Sequence, residues 1–363
     1  MARGYSGFAD VMTTRDGQDL NDLFAEFNAV ADIQNRDQEQ FLSLFTFNTT
    51  NAVESVLQTL GAASAFEKAS EYGIPQSKRA EFSTLDLGAD FAWYDNRWAS
   101  TWRYLANATA AEVSSHANAV LQADKDLVFN TVMRTLFGNT DRTFTEGTAQ
   151  ITAKPFANGD GWVPPAYQGQ TFDASHTHFR VSGAATIQSG DLDEIVDDFK
   201  SHGFSQENGS QIVIFVNAAE GNVINTFRVA TGARSDFVPA AGSRFFATDG
   251  DLIGNQVPAS YAGFVVKGSY DEALVIESAR IPAGYVAAMV SGGSLVSTNP
   301  IMFRQHVASG YQGLIAIPGG NAQYPLIDSY WTRGFGTGVR QRLAGLVMQV
   351  KASGSYDVPA LYA

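Results

Sequence analysis

The feature that most limits the fold is a stretch from about Asn107 to Phe137 that holds neither proline nor glycine. Val113, Ala117, Val120, Leu121, Val128, Val132 and Leu136 fall along it at helical spacing, and Gly138-Asn139 stops it. At 1.5 Å per residue such a helix is about 45 Å long. A compact domain seldom needs that length, so the helix reads as a spine on which other layers pack.

The 363 residues around it are enough for a sizeable core and one or two domains. Only 17% of them are charged against 45% apolar, which suits a surface largely covered by partners. Thirty-four glycines and 12% aromatics point to many turns and to β-structure packed with rings.

Before the spine, Leu20, Leu23, Phe24, Phe27, Val30 and Ile33 recur at spacings of three and four among acids. That pattern fits a surface helix on its own domain or an arm laid on a neighbour. Residues 71–105 change character. Pro75, Lys78-Arg79, then Phe82, Leu85, Leu87, Phe91, Trp93, Trp98 and Trp102 suggest a β-hairpin whose rings need a surface to bury against.

After the spine, residues 140–188 are β-patterned and broken by Pro155, Asn158-Gly159 and Pro164-Pro165. Asp191 then reads as a helix N-cap with Glu194 at the third helical position, and Gly203 as its end. An apolar strand over 212–216 follows, so helix and strand form an α+β layer. Residues 217–320 alternate short strands with Gly and Pro turns.

The composition also excludes functions. With 37 acidic and 24 basic residues, the net charge of -13 is wrong for a chain that grips nucleic acid. Without cysteine there is no disulfide, thiolate zinc site or thiol nucleophile. The start lacks an apolar signal core, and no run approaches the ~18 apolar residues of a spanning helix, so a cell interior and no membrane are expected.

Individual motifs read as structural. His176 and His178 share one face of a strand and have no evident third metal ligand; the nearest acid is Asp173, so packed or hydrogen-bonded histidines are expected, and no metal. Asp191, Asp193, Glu194, Asp197 and Asp198 read as a solvated helix face, and Asp249-Gly-Asp251 as a turn without the rest of a calcium loop. Gly334, Gly336 and Gly338 invite a phosphate-loop reading. They lie far from any first βαβ unit, however, and lead into an alternating stretch from Val339 to Val350, so a bend or a close backbone approach is expected. No nucleophile elbow, His-Glu-x-x-His pair or phosphate loop is present, so no enzyme and no cofactor are expected.

Taken in order, several segments resemble the major capsid proteins of tailed bacteriophages, whose fold is shared with encapsulins and the herpesvirus capsid floor. They are His176-Thr-His-Phe-Arg-Val-Ser-Gly183, the Gly-Asp-Leu-Asp-Glu helix with Lys200-Ser-His-Gly203, and Val213-Ile-Phe-Val-Asn217. Ile281-Pro-Ala-Gly-Tyr285, Asn299-Pro-Ile-Met-Phe-Arg304, Gln312-Gly-Leu314 and Arg333-Gly-Phe-Gly-Thr-Gly-Val-Arg340 continue the series. The likeness runs over roughly residues 70–363 and lies in the succession of segments rather than in one motif.

The resemblance implies an α+β tailed-phage capsid fold. Its parts would be an N-terminal arm (1–70), an extended hairpin loop (71–104), a peripheral domain with the spine helix (105–189), an axial domain (190–320) and a C-terminal return to the peripheral domain (321–363). The chain would assemble with itself through pentamers and hexamers into an icosahedral shell. That shell would enclose double-stranded DNA without specific binding, alongside portal, scaffold and decoration proteins. It would reside in the virion after assembly in the bacterial host cytoplasm. Trp93, Trp98, Lys78, Arg333, Arg340 and Arg342 are the inter-subunit contact candidates. Lys78 lies where some members carry a cross-linking lysine, but its partners are unmatched and no such bond is expected. Nor is a large N-terminal cleavage expected. The alternatives are an encapsulin-type compartment shell and a β-rich enzyme or binding domain using His176 and His178.

Overall fold

The computed structural model describes residues 13–59, 71, 73, 83–241, 257–261, 264–294, 296–318 and 326–363. Residues 72 and 74–82 of the expected hairpin, Lys78 and Phe82 among them, lie outside the described residues, as does Asp249-Gly-Asp251.

In chain order, α1 (Leu20–Phe45) runs into β1 (Thr46–Thr49), and β2 (Val53–Leu57) pairs with β3 (Thr84–Gly88). Next, β4 (Ala92–Thr101) leads through the short α2 (Trp102–Leu105) to α3 (Ala110–Phe137). β5 (Arg142–Glu146) and β6 (Ala149–Ala153) form a hairpin, and β7 (Phe179–Val181) precedes α4 (Ser189–Ser201), β8 (Gln211–Val216) and α5 (Ala218–Ile224). The strands β9 (Val238–Pro239), β10 (Ser260–Tyr261), β11 (Phe264–Tyr270), β12 (Ala273–Glu277) and β13 (Tyr285–Ser291) follow. β14 (Ile301–Gln305), β15 (Leu314–Pro318), β16 (Leu326–Val339) and β17 (Gly345–Gln349) close the order.

The spine is α3: 28 residues, about 42 Å long. It starts at Ala110 rather than Asn107 because Thr109 caps it. The Thr109 hydroxyl accepts from the Glu112 amide, and the Thr109 amide donates to Glu112 Oε2 at 2.7 Å. Val113, Ala117, Leu121, Val128, Val132 and Leu136 are buried along one side. The helix α1 lies against it on the same chain. Leu23 and Ala31 are buried there, while Gln34 donates to the Leu121 carbonyl at 2.8 Å. Val30 and Ile33, from the same apolar stripe, stay exposed, Ile33 by 53%.

Two sheets meet on that spine. In the first, β16 carries β14 and β15 along one edge and β4 along the other, and β1 adds to β14 in parallel. The second has eight strands in the order β10-β11-β12-β8-β13-β17-β7, with β9 on β11. Its central strands read as continuous apolar runs because both faces are covered: β8 and β13 are buried almost throughout. One core joins the layers, with Phe45, Phe137, Phe215, Phe303, Phe335 and Val347 in a single cluster.

Four expectations need correction. The hairpin base is β2 with β3, not β3 with the tryptophan strand; β4 turns away and pairs with β16 over ten residues. The boundaries at 190 and 320 do not follow the sheets, since β14 and β15 belong with β16, and β7 and β17 with β8. The stretch from Val339 to Val350 is not one strand returning to the spine's sheet. The chain turns at residues 340–344, and β17 enters the other sheet between β13 and β7. Finally, α4 begins at Ser189, so Asp191 is not the N-cap but the third helical residue, accepting from the Gln188 amide at 2.7 Å.

The spaced glycines lie inside β16, not at a bend. Alternate residues of a strand share a face, and there Gly334, Gly336 and Gly338 are crossed by residues 88–93. A Cβ on Gly336 would stand 1.8 Å from the Asp90 carbonyl oxygen, and one on Gly338 would stand 2.2 Å from that of Gly88. Both obstacles are backbone and cannot rotate aside. Gly336→Ala is therefore expected to destabilise the unassembled subunit in urea by about 2–3 kcal/mol. Gly190→Ala, on α4 with open space around it, should be neutral or stabilising by up to about 1 kcal/mol. Equal midpoints for the two variants would contradict the close-approach reading.

Candidate functional site

The most concentrated chemistry lies where β7 meets the end of α4. His176 and His178 sit just before β7, two apart and on one side. Asp198 and His202 sit four apart at the C-terminal end of α4, hence on one helix face. Their ligand atoms all lie within 4.8 Å of one another. The expectation of solvated carboxylates fails for Asp198, which is largely buried, and for Asp191, which is also buried.

His178 is fixed on all sides. Its amide donates to Ala157 O at 2.7 Å, and its carbonyl accepts from Val347 N at 2.8 Å, so the backbone is sewn between β17 and the 157 loop. Its Nδ1 lies 2.8 Å from the Gly345 carbonyl, which can only accept; Nδ1 therefore carries the proton. Nε2 of the neutral ring is then a lone pair, aimed at His176 Nε2 (3.1 Å) and His202 Nε2 (3.4 Å). The latter two are 2.9 Å apart.

Burial sets the charge state. It pushes His178 well below the usual histidine range and holds His202 down to about 2, and it lowers His176 as well. Burial raises the Asp198 carboxyl, against the pull of Arg180, whose guanidinium donates to Asp198 Oδ1 at 2.7 Å. The other oxygen, Oδ2, lies 3.2 Å from His178 Nε2 yet accepts no hydrogen bond, and His202 Nδ1 has no partner either. Phe172 packs on His202, ring centroids 4.1 Å apart, while His176 stays partly exposed. Sequence reasoning saw the His-x-His pair but missed its complement. The Asp-x-x-x-His spacing of 198 and 202 was the available signal, hidden because Asp198 was grouped with the acids around it.

The arginines expected as inter-subunit contacts all have partners within the chain. Arg333 is buried between α3 and β16. Its Nε donates to Asp124 Oδ1 at 2.5 Å and its Nη2 to Asn35 Oδ1 at 2.8 Å. Asn35 also accepts from Leu314 N, so α1, α3, β15 and β16 meet at one node. Arg342, fully buried, donates to Pro155 O and Asp160 and lies over the Trp162 ring. Arg340 pairs with Glu54 at 3.6 Å and covers Phe47. Arg333 sits in β16 under α3, and Arg340 and Arg342 lie in the turn that follows; both places are interior, where a cation needs partners.

The two tryptophans part ways. Trp98 stacks on His116 (5.7 Å) and packs against the cluster of Leu23, Leu105 and Val113, so the expectation that it lacks an internal surface is wrong. Trp93 is 46% exposed. It joins Phe91, His306 and Tyr311 in a surface aromatic patch beside Val307, which is itself exposed.

The chain is similar over 99% of its length, and 97% of the other's, to a solved structure of Mycobacterium phage Patience, with 35% identity and a TM-score of 0.71. Weaker likenesses reach the mature capsid of bacteriophage PhiM1 (9% identity, 86% of this chain and 87% of that one, TM-score 0.48). They also reach the holo-SrpI encapsulin complex of Synechococcus elongatus (10%, 88% and 90%, TM-score 0.46). No family model and no curated protein matches. The chain has the tailed-phage capsid fold. It belongs to the tailed-bacteriophage major capsid protein family.

Three substitutions separate the internal contacts from the surface. Arg333→Ala removes the cation from a buried carboxylate and is expected to cost about 3–5 kcal/mol in subunit unfolding. Trp98→Ser should cost about 2 kcal/mol or more through lost packing, with Trp93→Ser close to wild type. Chemical denaturation of unassembled subunits ranks the three, and a Trp93 variant as unstable as Trp98→Ser would refute the division.

Proposed function

We infer that the chain is the major capsid protein of a tailed phage, a structural protein that assembles with copies of itself into a closed shell around double-stranded DNA. The observation that carries this reading is the 35% identity spread over nearly the whole of both chains. The role is structural rather than catalytic.

Assembly physics gives the mechanism. Heterologous contacts, in which one patch meets a different patch on the next copy, close into rings of five and six and then into a shell. The eight-stranded sheet with α4 and α5 is the unit we assign to the ring axes, and the β16 sheet with α3 to the periphery. The aromatic patch around Trp93 and the exposed Val30 and Ile33 on α1 are apolar surfaces that a neighbouring copy would cover. With many copies per shell, a modest free energy per contact suffices. The net charge of -13 fits a wall that encloses DNA without adhering to it. Portal, scaffold and decoration proteins complete the particle, which assembles in the host cytoplasm. Among the described residues no helix is long and apolar enough to cross a membrane.

Electron microscopy of the chain, expressed alone and with its phage's scaffold protein, tests the reading. Closed shells able to hold DNA are the expected result, and Trp93→Ser should lower their yield while the subunit stays folded. A persistent monomer would sink the proposal. Small shells filled with an enzyme would replace it with the encapsulin alternative.

A further inference from the structure

Three of the chain's five histidines meet at β7 and the end of α4, in an arrangement that shell assembly does not require. We propose that His176, His178, His202 and Asp198 form a binding site for a divalent transition-metal ion, zinc above all, that fastens β7 to α4.

The first argument is proton counting. His178 spends its only proton on Gly345 O, so its Nε2 offers a lone pair to the cluster. Around that lone pair stand two more Nε2 atoms and a carboxylate oxygen. Asp198 Oδ2 faces it at 3.2 Å with no proton between them and no other hydrogen bond. When His176 and His202 also carry their protons on Nδ1, three lone pairs and a carboxylate oxygen converge here and repel one another. A cation at their centre turns each of those contacts into attraction.

Distance is the second argument. Zinc holds imidazole nitrogen at about 2.0–2.1 Å, so the edges of its coordination tetrahedron are about 3.3 Å. The three nitrogens stand 2.9, 3.1 and 3.4 Å apart, one triangular face of such a tetrahedron, and the carboxylate oxygen is 3.2 Å from one of them. A modest swing of Asp198, within the 4.8 Å span of the set, would complete the figure.

The surroundings of the site are the third. A metal-bound histidine typically gives its other N–H to a carbonyl, as His178 does, and a ligating carboxylate is held by a further group, as Arg180 holds Asp198. Phe172 shields one side, and the partly exposed His176 leaves a way in. Imidazole and carboxylate together suit zinc, and also cobalt as a spectroscopic substitute. The ion would clamp an edge strand, β7, to the helix that follows it and so hold the 157–182 segment to the sheet.

The test uses the full chain, stripped by chelator and then titrated with zinc chloride and, separately, cobalt chloride. One zinc per chain, a visible band of four-coordinate cobalt and a higher melting temperature with zinc are expected. His176→Gln, at the partly exposed ligand, and His202→Gln should each weaken zinc binding by at least about tenfold, whereas Asp173→Asn should not. If His202→Gln fails to fold, His176→Gln and the wild-type titration still decide. No stoichiometric zinc on the wild-type chain, or equal zinc on wild type and His176→Gln, overturns the proposal. Neither outcome touches the capsid reading, which the particle experiment tests by itself.

Discussion

Everything in the first layer depends on how closely residues 88–91 cross β16. With no side chains at 336 and 338 on that face, the crossing backbone settles directly on the strand, while the Phe91 and Trp93 rings lie over Gly334. Polar groups then lock it. Asp90 accepts from the Thr337 amide at 2.8 Å, and Arg142 joins Asp90 to the Thr337 carbonyl. Thr337 reaches Thr135 of α3 at 2.7 Å. One close approach thus fixes the β3–β4 link, the long strand, the spine helix and the β5 hairpin relative to one another.

The buried arginines extend this logic to the chain's other junctions. Arg333 ties α1 and α3 to β16, and Arg342 fills the turn where the chain leaves one sheet for the other. A guanidinium satisfies several carbonyls and carboxylates at once in fixed geometry, which is what a crossing of irregular backbone needs. The price is that removing either partner leaves a buried charge exposed to its own desolvation cost.

How much of this was legible in the sequence follows from the range of each signal. The spine helix was legible because its stripe and its stop are local, and so was the apolar run that became β8. Pairing between distant strands was not. Nothing near Trp93 or Trp98 tells that β4 pairs with residues 326–335, more than two hundred positions on, so a hairpin with β3 was the natural local reading. The arginines looked like surface groups because their acids, Asp124 and Asp160, are equally remote. The histidine cluster was half legible. Its His-x-His pair is local, but only the packing of β7 on α4 shows that Asp198 and His202 complete it.

The placement of β17 carries a consequence for the order of events in synthesis. Residues 345–349 do not extend an edge; they bridge β13 to β7 in the interior of the eight-stranded sheet. They also supply Gly345 O to His178 and Val347 N to its backbone. A nascent chain that has not yet delivered these residues therefore holds that sheet in two unjoined pieces, with the inner edge of β13 open. A subunit built in this way cannot present its complete surface to a neighbour until residues 345–349 have been made, so topology alone acts as a timer that keeps shorter nascent chains out of a growing shell.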